Sequence, residues 1–547
     1  MHKKTTFAWF MASCLVCAHA PSALGAVKPH TLFSDGMVLQ QGMKAPVWGT
    51  ADDNERVTIQ FQSQEVSTTA KDGKWIIRLE NLKAGGPFEM TITASNTIRI
   101  KNVLVGEVWI CSGQSNMEFP VSASTNAKQA VADSKNPMIR LFTVPHRTGF
   151  VPRHSLKGAW KECGPTTVGG FTAVGYFFGR DVQKALGVPV GLIETSWGGT
   201  LCEAWTSRRA LEQHPDFKDL AARDAQAWER YAQAQRKYEQ ARERSEEAKA
   251  ETEGGKSPAT SSPRADRRKR APISPTTASA KPAPRPPQPP VNPANDPNMD
   301  AALYNGMLAP LIPYAIRGAI WYQGESNAGR AYQYRTLFPN MIRNWREDWG
   351  QGDFPFLFVQ LAPWMEIVKE PQESTWAELR EAQLLTSLHV PHAGMAVITD
   401  VGDEKDIHPR QKEPVGARLA LAALAIAYGR PVVYSGPVYE SMKVEGPKAI
   451  LTLKHVGGGL VAKDGPLTGF AIAGDDRKFA NAEAEIRGSE VVAWSPKVSR
   501  PVAMRYGWAN YPLGNLWNKD GLPASPFRTD DFPPVTASTS KVMRGTR

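Results

Sequence analysis

A serine hydroxyl becomes a useful nucleophile only beside a base. The base needs an orienting acid, and the intermediate needs N–H donors. Ser115 stands where such a set could assemble. The run Val103-Leu104-Val105-Gly106-Glu107-Val108-Trp109-Ile110-Cys111 is apolar and rich in β-branched residues, and it leads into Gly113-Gln114-Ser115-Asn116-Met117. Such a run reads as a buried strand that stops at a glycine. The hydroxyl then lies at the carboxyl end of a strand, where open α/β sheets build their sites. An ordinary strand-to-loop turn has the same local signature, so the assignment depends on what else reaches that edge.

Three other segments reach it. Among the histidines, His408 lies in Asp400-Val401-Gly402-Asp403-Glu404-Lys405-Asp406-Ile407-His408-Pro409, between the last expected strand and a helix near Pro414. A loop histidine is commonly surface, but its acidic neighbours and the upstream serine favour a general base. Ile193-Glu194-Thr195-Ser196-Trp197-Gly198-Gly199-Thr200 follows another strand, and Gly198 and Gly199 let backbone N–H groups approach a ligand closely. Ala319-Ile320-Trp321-Tyr322-Gln323-Gly324-Glu325-Ser326-Asn327 ends a third strand with amides and a carboxylate. Four polar clusters converging on one sheet edge are more specific than any one motif, and they suit acyl transfer.

These groups need a scaffold that brings distant strand ends together. Buried-strand candidates fall at 104–111, 139–144, 188–195, 316–322, 355–361 and 394–399. Helical stretches lie among them at 171–186, 332–349, 375–388 and 414–428. This alternation predicts a parallel sheet flanked by helices over residues 103–430. Residues 27–102 alternate with period two between turn clusters such as Gly85-Gly86-Pro87, which predicts a small β-sandwich. Short strands return over 431–534 as a second β domain, followed by a polar tail at 535–547. Within the core, 217–253 reads as a long polar helix with a narrow stripe of Trp228, Tyr231, Gln235 and Tyr238.

Composition narrows the class. The 547 residues are 41% hydrophobic and carry a net charge of +11. Over half of that excess sits at 254–298, which includes Arg267-Arg268-Lys269-Arg270 amid Pro, Ser and Ala. The segment lacks the apolar side chains that would offset its ordering entropy, so it is expected to be a disordered basic insertion. It offers at most a weak contact with an acidic polysaccharide or membrane surface, and it does not support nucleic-acid binding. Lys3 and Lys4, an apolar run and small residues up to Ala26 read as a signal peptide over 1–26, implying a secreted or periplasmic protein. No other stretch approaches the ~18 apolar residues of a membrane span. Past residue 26 the cysteines are Cys111, Cys163 and Cys202, an odd count that argues against a disulfide framework. A Cys163–Cys202 pair is left open by an oxidising compartment. No C-x-x-C pair or histidine cluster suggests a metal site.

Several blocks, in order, resemble the sialate O-acetylesterase family within the SGNH hydrolases. They are Leu32-Phe33-Ser34-Asp35-Gly36-Met37-Val38-Leu39-Gln40, the serine block, Trp197-Gly198-Gly199, Trp321 to Asn327, Asp406-Ile407-His408-Pro409, and Asn518-Lys519-Asp520-Gly521-Leu522-Pro523-Ala524-Ser525-Pro526-Phe527-Arg528-Thr529-Asp530. The resemblance covers nearly all of the chain past residue 26, apart from the basic insertion. It implies an α/β protein with a three-layer α/β/α, flavodoxin-like SGNH core and small all-β flanking domains. It also implies removal of O-acetyl groups from sugars without a cofactor, with sialic acid as the namesake substrate.

Two positions depart from the family pattern. SGNH hydrolases usually place an aspartate three residues before the catalytic histidine, where this chain has Lys405. Asp406 could still reach the ring, because alternate residues of an extended strand share a face. Asp403 would need a turn, so Asp406 is the favoured acid. Glu325 is a third candidate, since acetylxylan esterases that resemble this family use the glutamate of the corresponding Gln-Gly-Glu. The usual oxyanion asparagine is also missing as Gly-x-Asn-Asp, so Gln323 or Asn327 is expected to join the N–H groups of Ser115, Gly198 and Gly199. Gln114, Asn116, Met117, Trp197 and Glu325 are expected to contact substrate.

The expected protein is a secreted carbohydrate esterase, foremost on O-acetylated sialic acid, acting through a Ser-His-acid acyl-enzyme. Acetylated xylan or another polysaccharide suits the same chemistry. Intact Ser115 and His408 argue against a non-catalytic carbohydrate-binding protein. A glycosidase would need two carboxylates across the bond, and no such pair is signalled.

Overall fold

The computed structural model describes residues 26–217, 220–254 and 288–537. One strand joins its two largest parts. β1 (Thr97–Gly113) is 17 residues long, half-exposed over its first six residues and buried from Val103 to Gly113. The first stretch pairs antiparallel with Gly85–Thr93, in the N-terminal β region. Val38–Gln40 lies parallel to it, with Val38 opposite Leu104. The apolar second stretch runs on into the core, where strands are covered on both faces.

The core strands are β1, β2 (Asn136–Thr143), β3 (Lys161–Cys163), β4 (Val190–Ser196), β5 (Gly318–Tyr322), β6 (Phe356–Val359) and β7 (Ala393–Ala396). Their order is β3-β2-β4-β1-β5-β6-β7. All are parallel except the edge strand β3, which makes the sheet mixed. From β1 the chain moves to one side for β2 and β4, then crosses to the other for β5. β1 is therefore the topological switch point, where an open α/β sheet leaves a crevice at its carboxyl edge.

Besides two short helices at Ala127–Ala132 and Arg208–Gln213, the helices are α1 (Ser115–Glu118), α2 (Ala173–Leu186), α3 (Leu220–Gly254), α4 (Ala331–Trp349), α5 (Thr375–His389) and α6 (Glu413–Ile426). Two of them, α2 and α5, start on side-chain caps. The Thr172 side chain accepts the Gly175 N–H to start α2, and Gly187 ends it at φ +69°. The Ser374 hydroxyl accepts the Ala377 N–H to start α5. α2 packs on α6, and α4 packs on α5. Trp109 of β1 meets Phe178 of α2 edge-on. Trp321 of β5 meets Trp345 of α4 in the same way. Ser112, not Trp109, is the register partner of Trp321, so the two tryptophans belong to opposite sides of the pleat.

The C-terminal strands form two four-stranded sheets and one two-stranded sheet. Arg380 of α5 is buried and donates to the carbonyls of Ala509 and Asn510, locking this region to the core.

One expectation changes on contact with the structure, and one open question closes. The stretch expected to be disordered from 254 to 298 is packed by its end. Pro293 is buried, Thr148 Oγ1 donates to the Ala294 carbonyl, and Asn298 Oδ1 accepts the Leu201 N–H at 2.9 Å. Proline and asparagine can order a segment through local turns without apolar bulk. The arginine run 267–270 lies outside the described residues, as does the expected signal peptide up to residue 25. The aromatic stripe on α3 is only partly covered, and Trp228 stays 39% exposed beside Phe150. Cys163 and Cys202 do not pair. Both are free and buried, Cys163 against the Ser134 carbonyl and Cys202 against Met341. Among the described residues, no helix is long and apolar enough to cross a membrane.

Candidate active site

Three strands end level. Gly113 is in register with Ser196 of β4 on one side and Tyr322 of β5 on the other. The segments that follow therefore share one edge. Gly113 has φ +143°, and a Cβ there would sit 2.2 Å from the Tyr322 carbonyl oxygen. Only glycine lets β1 turn this tightly against β5. Ser115 opens α1 immediately afterwards, so its N–H has no intrahelical acceptor.

The loop after β7 returns to this edge. His408 Nε2 lies 2.8 Å from Ser115 Oγ. Asp406 Oδ1 lies 3.3 Å from His408 Nδ1 and accepts the His408 backbone N–H at 2.8 Å. Residues 403–408 are not an extended strand. Asp406 reaches the ring through an Asx-type turn over its own chain, which supplies the reach at a spacing of two. Asp403 makes the preceding turn, accepting the N–H groups of Lys405 and Asp406, and does not touch His408. Glu325 Oε1 accepts from Asn116 Nδ2 at 2.6 Å, and burial raises its carboxyl above the usual range. Its contact is thus with the residue after the nucleophile, not with the imidazole.

The expected oxyanion donors separate into two groups. Gly198 stands against the nucleophile, since a Cβ on it would lie 3.2 Å from Ser115 Cβ. Its N–H is taken by Glu118 Oε2 at 2.6 Å. Gly199 has φ +74° and gives its carbonyl to Asn298 Nδ2. Gln323 and Asn327, by contrast, are buried and committed elsewhere. Gln323 Nε2 donates to the Thr200 carbonyl and Asn327 Oδ1, and Asn327 Nδ2 donates to Glu203. Their amides brace the loops and are not presented to Ser115.

A cleft of about 540 Å³ opens over Ser115 and His408, lined also by Glu118, Phe119, Thr143, His146 and Glu194. None of the five expected substrate contacts lines it. Gln114 and Met117 are buried, Asn116 faces Glu325 and the Ile407 carbonyl, and Trp197 lies flat behind His146 with ring centres 4.1 Å apart. A larger groove of about 890 Å³ between α4 and α5 holds none of these groups.

The cleft lining was missed in the sequence. His146 Nε2 sits 3.1 Å from Glu118 Oε1. That hydrogen bond raises the imidazole above its usual value, against the effect of burial. Burial pushes the Glu118 carboxyl up, but the His146 bond and charge and the Gly198 N–H outweigh it and hold it low. Glu194 is pushed up to about 7 by burial, against the hydroxyls of Thr143 and Ser196 that donate to it. Two signals were available: Glu118 stands one helical turn beyond Ser115, and Glu194 is a carboxylate inside an apolar strand. Among the described residues, no group of three or more His, Cys, Asp and Glu side chains is placed to hold a metal ion.

Comparison with known proteins places the chain among carbohydrate esterases. A family model described as carbohydrate esterase, sialic acid-specific acetylesterase, matches residues 105–252 and 298–425. Mouse sialate O-acetylesterase is 30% identical over 540 residues, covering 90% of this chain and 92% of its own. The human sialate O-acetylesterase is 28% identical, covering 90% and 91%. The crystal structure of a carbohydrate acetylesterase from Xanthomonas citri is 35% identical, with a TM-score of 0.76, and spans 93% of this chain and all of its own.

Proposed function

The chain belongs to the family of sialic acid-specific carbohydrate acetylesterases, and from that premise we propose that it cleaves O-acetyl groups from sugars by a serine acyl-enzyme mechanism. The observation that carries the proposal is the 2.8 Å contact of His408 Nε2 with Ser115 Oγ, with Asp406 on the other ring nitrogen. His408 takes the Ser115 proton as Oγ adds to the acetyl carbonyl. Asp406 favours the tautomer with hydrogen on Nδ1 and stabilises the imidazolium. The oxyanion is held by the Ser115 N–H and by the N–H of the Gly198–Gly199 turn once Glu118 releases it. Collapse expels the sugar hydroxyl, which takes the proton from His408. Water, deprotonated by His408, then adds to the acetyl-serine, and His408 returns the proton to Ser115 Oγ as acetate leaves.

The core is proposed to be the three-layer α/β/α arrangement of SGNH hydrolases. The support is the pair α2 and α6 beside Trp109, and the pair α4 and α5 beside Trp321, from opposite sides of the pleat. Secretion through residues 1–26 is proposed from their composition.

The names of the curated relatives make O-acetylated sialic acid the first substrate. A second reading, an acetylated neutral polysaccharide, is favoured by the cleft lining, which contains Glu118 and Glu194 but no lysine or arginine. An anionic sugar would face the Glu118 carboxylate there, joined by Glu194 as pH rises past about 7. The test is acetate release by the protein from O-acetylated sialic acid beside acetylated xylo-oligosaccharide. Release from at least one is expected, and release from neither would overturn the assignment.

A further inference from the structure

Behind the nucleophile turn lies a charged side chain that the steps above do not use. Lys412 is fully buried just before α6. Its Nζ donates to Asn116 Oδ1 and lies 4.8 Å from the centre of the Phe119 ring and 5.4 Å from that of Tyr322. A buried ammonium is costly unless it is paired. Burial pulls Lys412 down to about 7, against the opposing charges of Glu325 and Asp406. Glu325 keeps its other oxygen, Oε2, buried without a partner.

An asparagine amide has an accepting end and a donating end, whereas an ammonium only donates. While it is charged, Lys412 therefore dictates which end of Asn116 faces it. The donating end must turn the other way, where Asn116 Nδ2 bonds the Ile407 carbonyl at 3.0 Å and Glu325 Oε1 at 2.6 Å. Asn116 follows the nucleophile, and Ile407 precedes the base. One side chain thus straps the turn of Ser115 to the loop of His408.

We propose that Lys412 is a positioning residue for acyl transfer: by fixing the Asn116 amide it keeps Ser115 and His408 in reach of each other. This rests on the reading of Ser115 and His408 as nucleophile and base. Lys412 touches neither reacting atom. Without it the amide can rotate, and the hydrogen bond from Oγ to Nε2 is populated less often. The loss falls on turnover more than on binding of a small ester.

The experiment is a double-mutant cycle on a small acetyl ester, with Lys412→Met, Asn116→Leu and the double variant. Each single variant should lower kcat by about 100-fold with KM within about threefold. The double should be no worse than the worse single, because both remove one strap. Losses that multiply, or a Lys412→Met kcat within about threefold of wild type, overturn the proposal. Ser115→Ala in the same assay separates the two claims. If it keeps turnover, the nucleophile reading fails and the proposal falls with it. If it is dead while Lys412→Met is near wild type, the proposal alone fails. Should Lys412→Met not fold by circular dichroism, Asn116→Asp carries the test. It keeps an acceptor for the lysine and removes the donor toward Ile407 and Glu325, so a kcat loss of about 100-fold is expected and a near-wild-type kcat contradicts the proposal.

Discussion

At the scale of single residues, the acid is the sharpest question, because three carboxylates compete for one role. Asp406 alone touches the His408 ring. Asp406→Asn should lower kcat by about 10²–10⁴-fold with the fold intact, since asparagine cannot stabilise the imidazolium. Asp403→Asn should cost under about tenfold, as for a carboxylate that only shapes a turn. Glu325→Gln should fall between them, because it disturbs Asn116 and not the imidazole. Three kcat values with circular dichroism decide it, and collapse of Asp403→Asn or Glu325→Gln beside a near-normal Asp406→Asn would move the acid. Ser115 and His408 were legible because each sits in a local pattern that announces a strand end. Asp406 was legible as a neighbour of the histidine, but its reach comes from an Asx turn, not from strand alternation. Glu118 and His146 were not legible as a pair, because no local motif marks either residue and only the fold brings them together. Gln323 and Asn327 looked like donors for the oxyanion because sequence shows that an amide is present, not what already occupies it.

At the scale of elements, β1 and β4 carry the site by ending level. The predicted strands and helices of the core all appear within a few residues, since long apolar runs and a 3.6-residue period are strong signals. What sequence could not mark is that β1 begins at Thr97, inside the N-terminal β region, and continues without a break. Its first residues alternate and its last do not, so one strand reads as two. β4 carries a cost of its own. Glu194 is 5% exposed, and its carboxyl is raised to about 7. A folded-state value above the ordinary one means that the folded protein binds the extra proton. Stability then falls as pH rises from about 4.5 to about 7 and levels off beyond. Glu194→Gln keeps a neutral acceptor for Thr143 and Ser196 and removes that fall. Its Tm should match wild type near pH 5 and exceed it by about 2–4 °C at pH 8. An equal difference at both pH values would contradict the protonation argument.

At the scale of the whole molecule, a basic segment interrupts the α/β core. The family match stops at 252 and resumes at 298, on either side of the basic segment. Asn298, where it resumes, is tied to Gly199 and Leu201 beside the nucleophile. Replacing 255–287 with a short Gly/Ser linker should leave Tm and small-ester turnover nearly unchanged, because loop-closure entropy varies slowly with length. Carrying the deletion through Asn298 should lower turnover by loosening the Gly198–Gly199 turn, and equal activity of the two deletions would sever that link. The central claim is that the whole chain works by acetylating Ser115. It is tested most directly by rapid-quench mass spectrometry of the full-length protein turning over an O-acetylated sugar. The account predicts an acetyl adduct on the peptide carrying Ser115 that forms and decays with acetate release. It also predicts that Ser115→Ala shows neither adduct nor release. Acetate release by Ser115→Ala at wild-type rate, or an adduct on another residue, would contradict it.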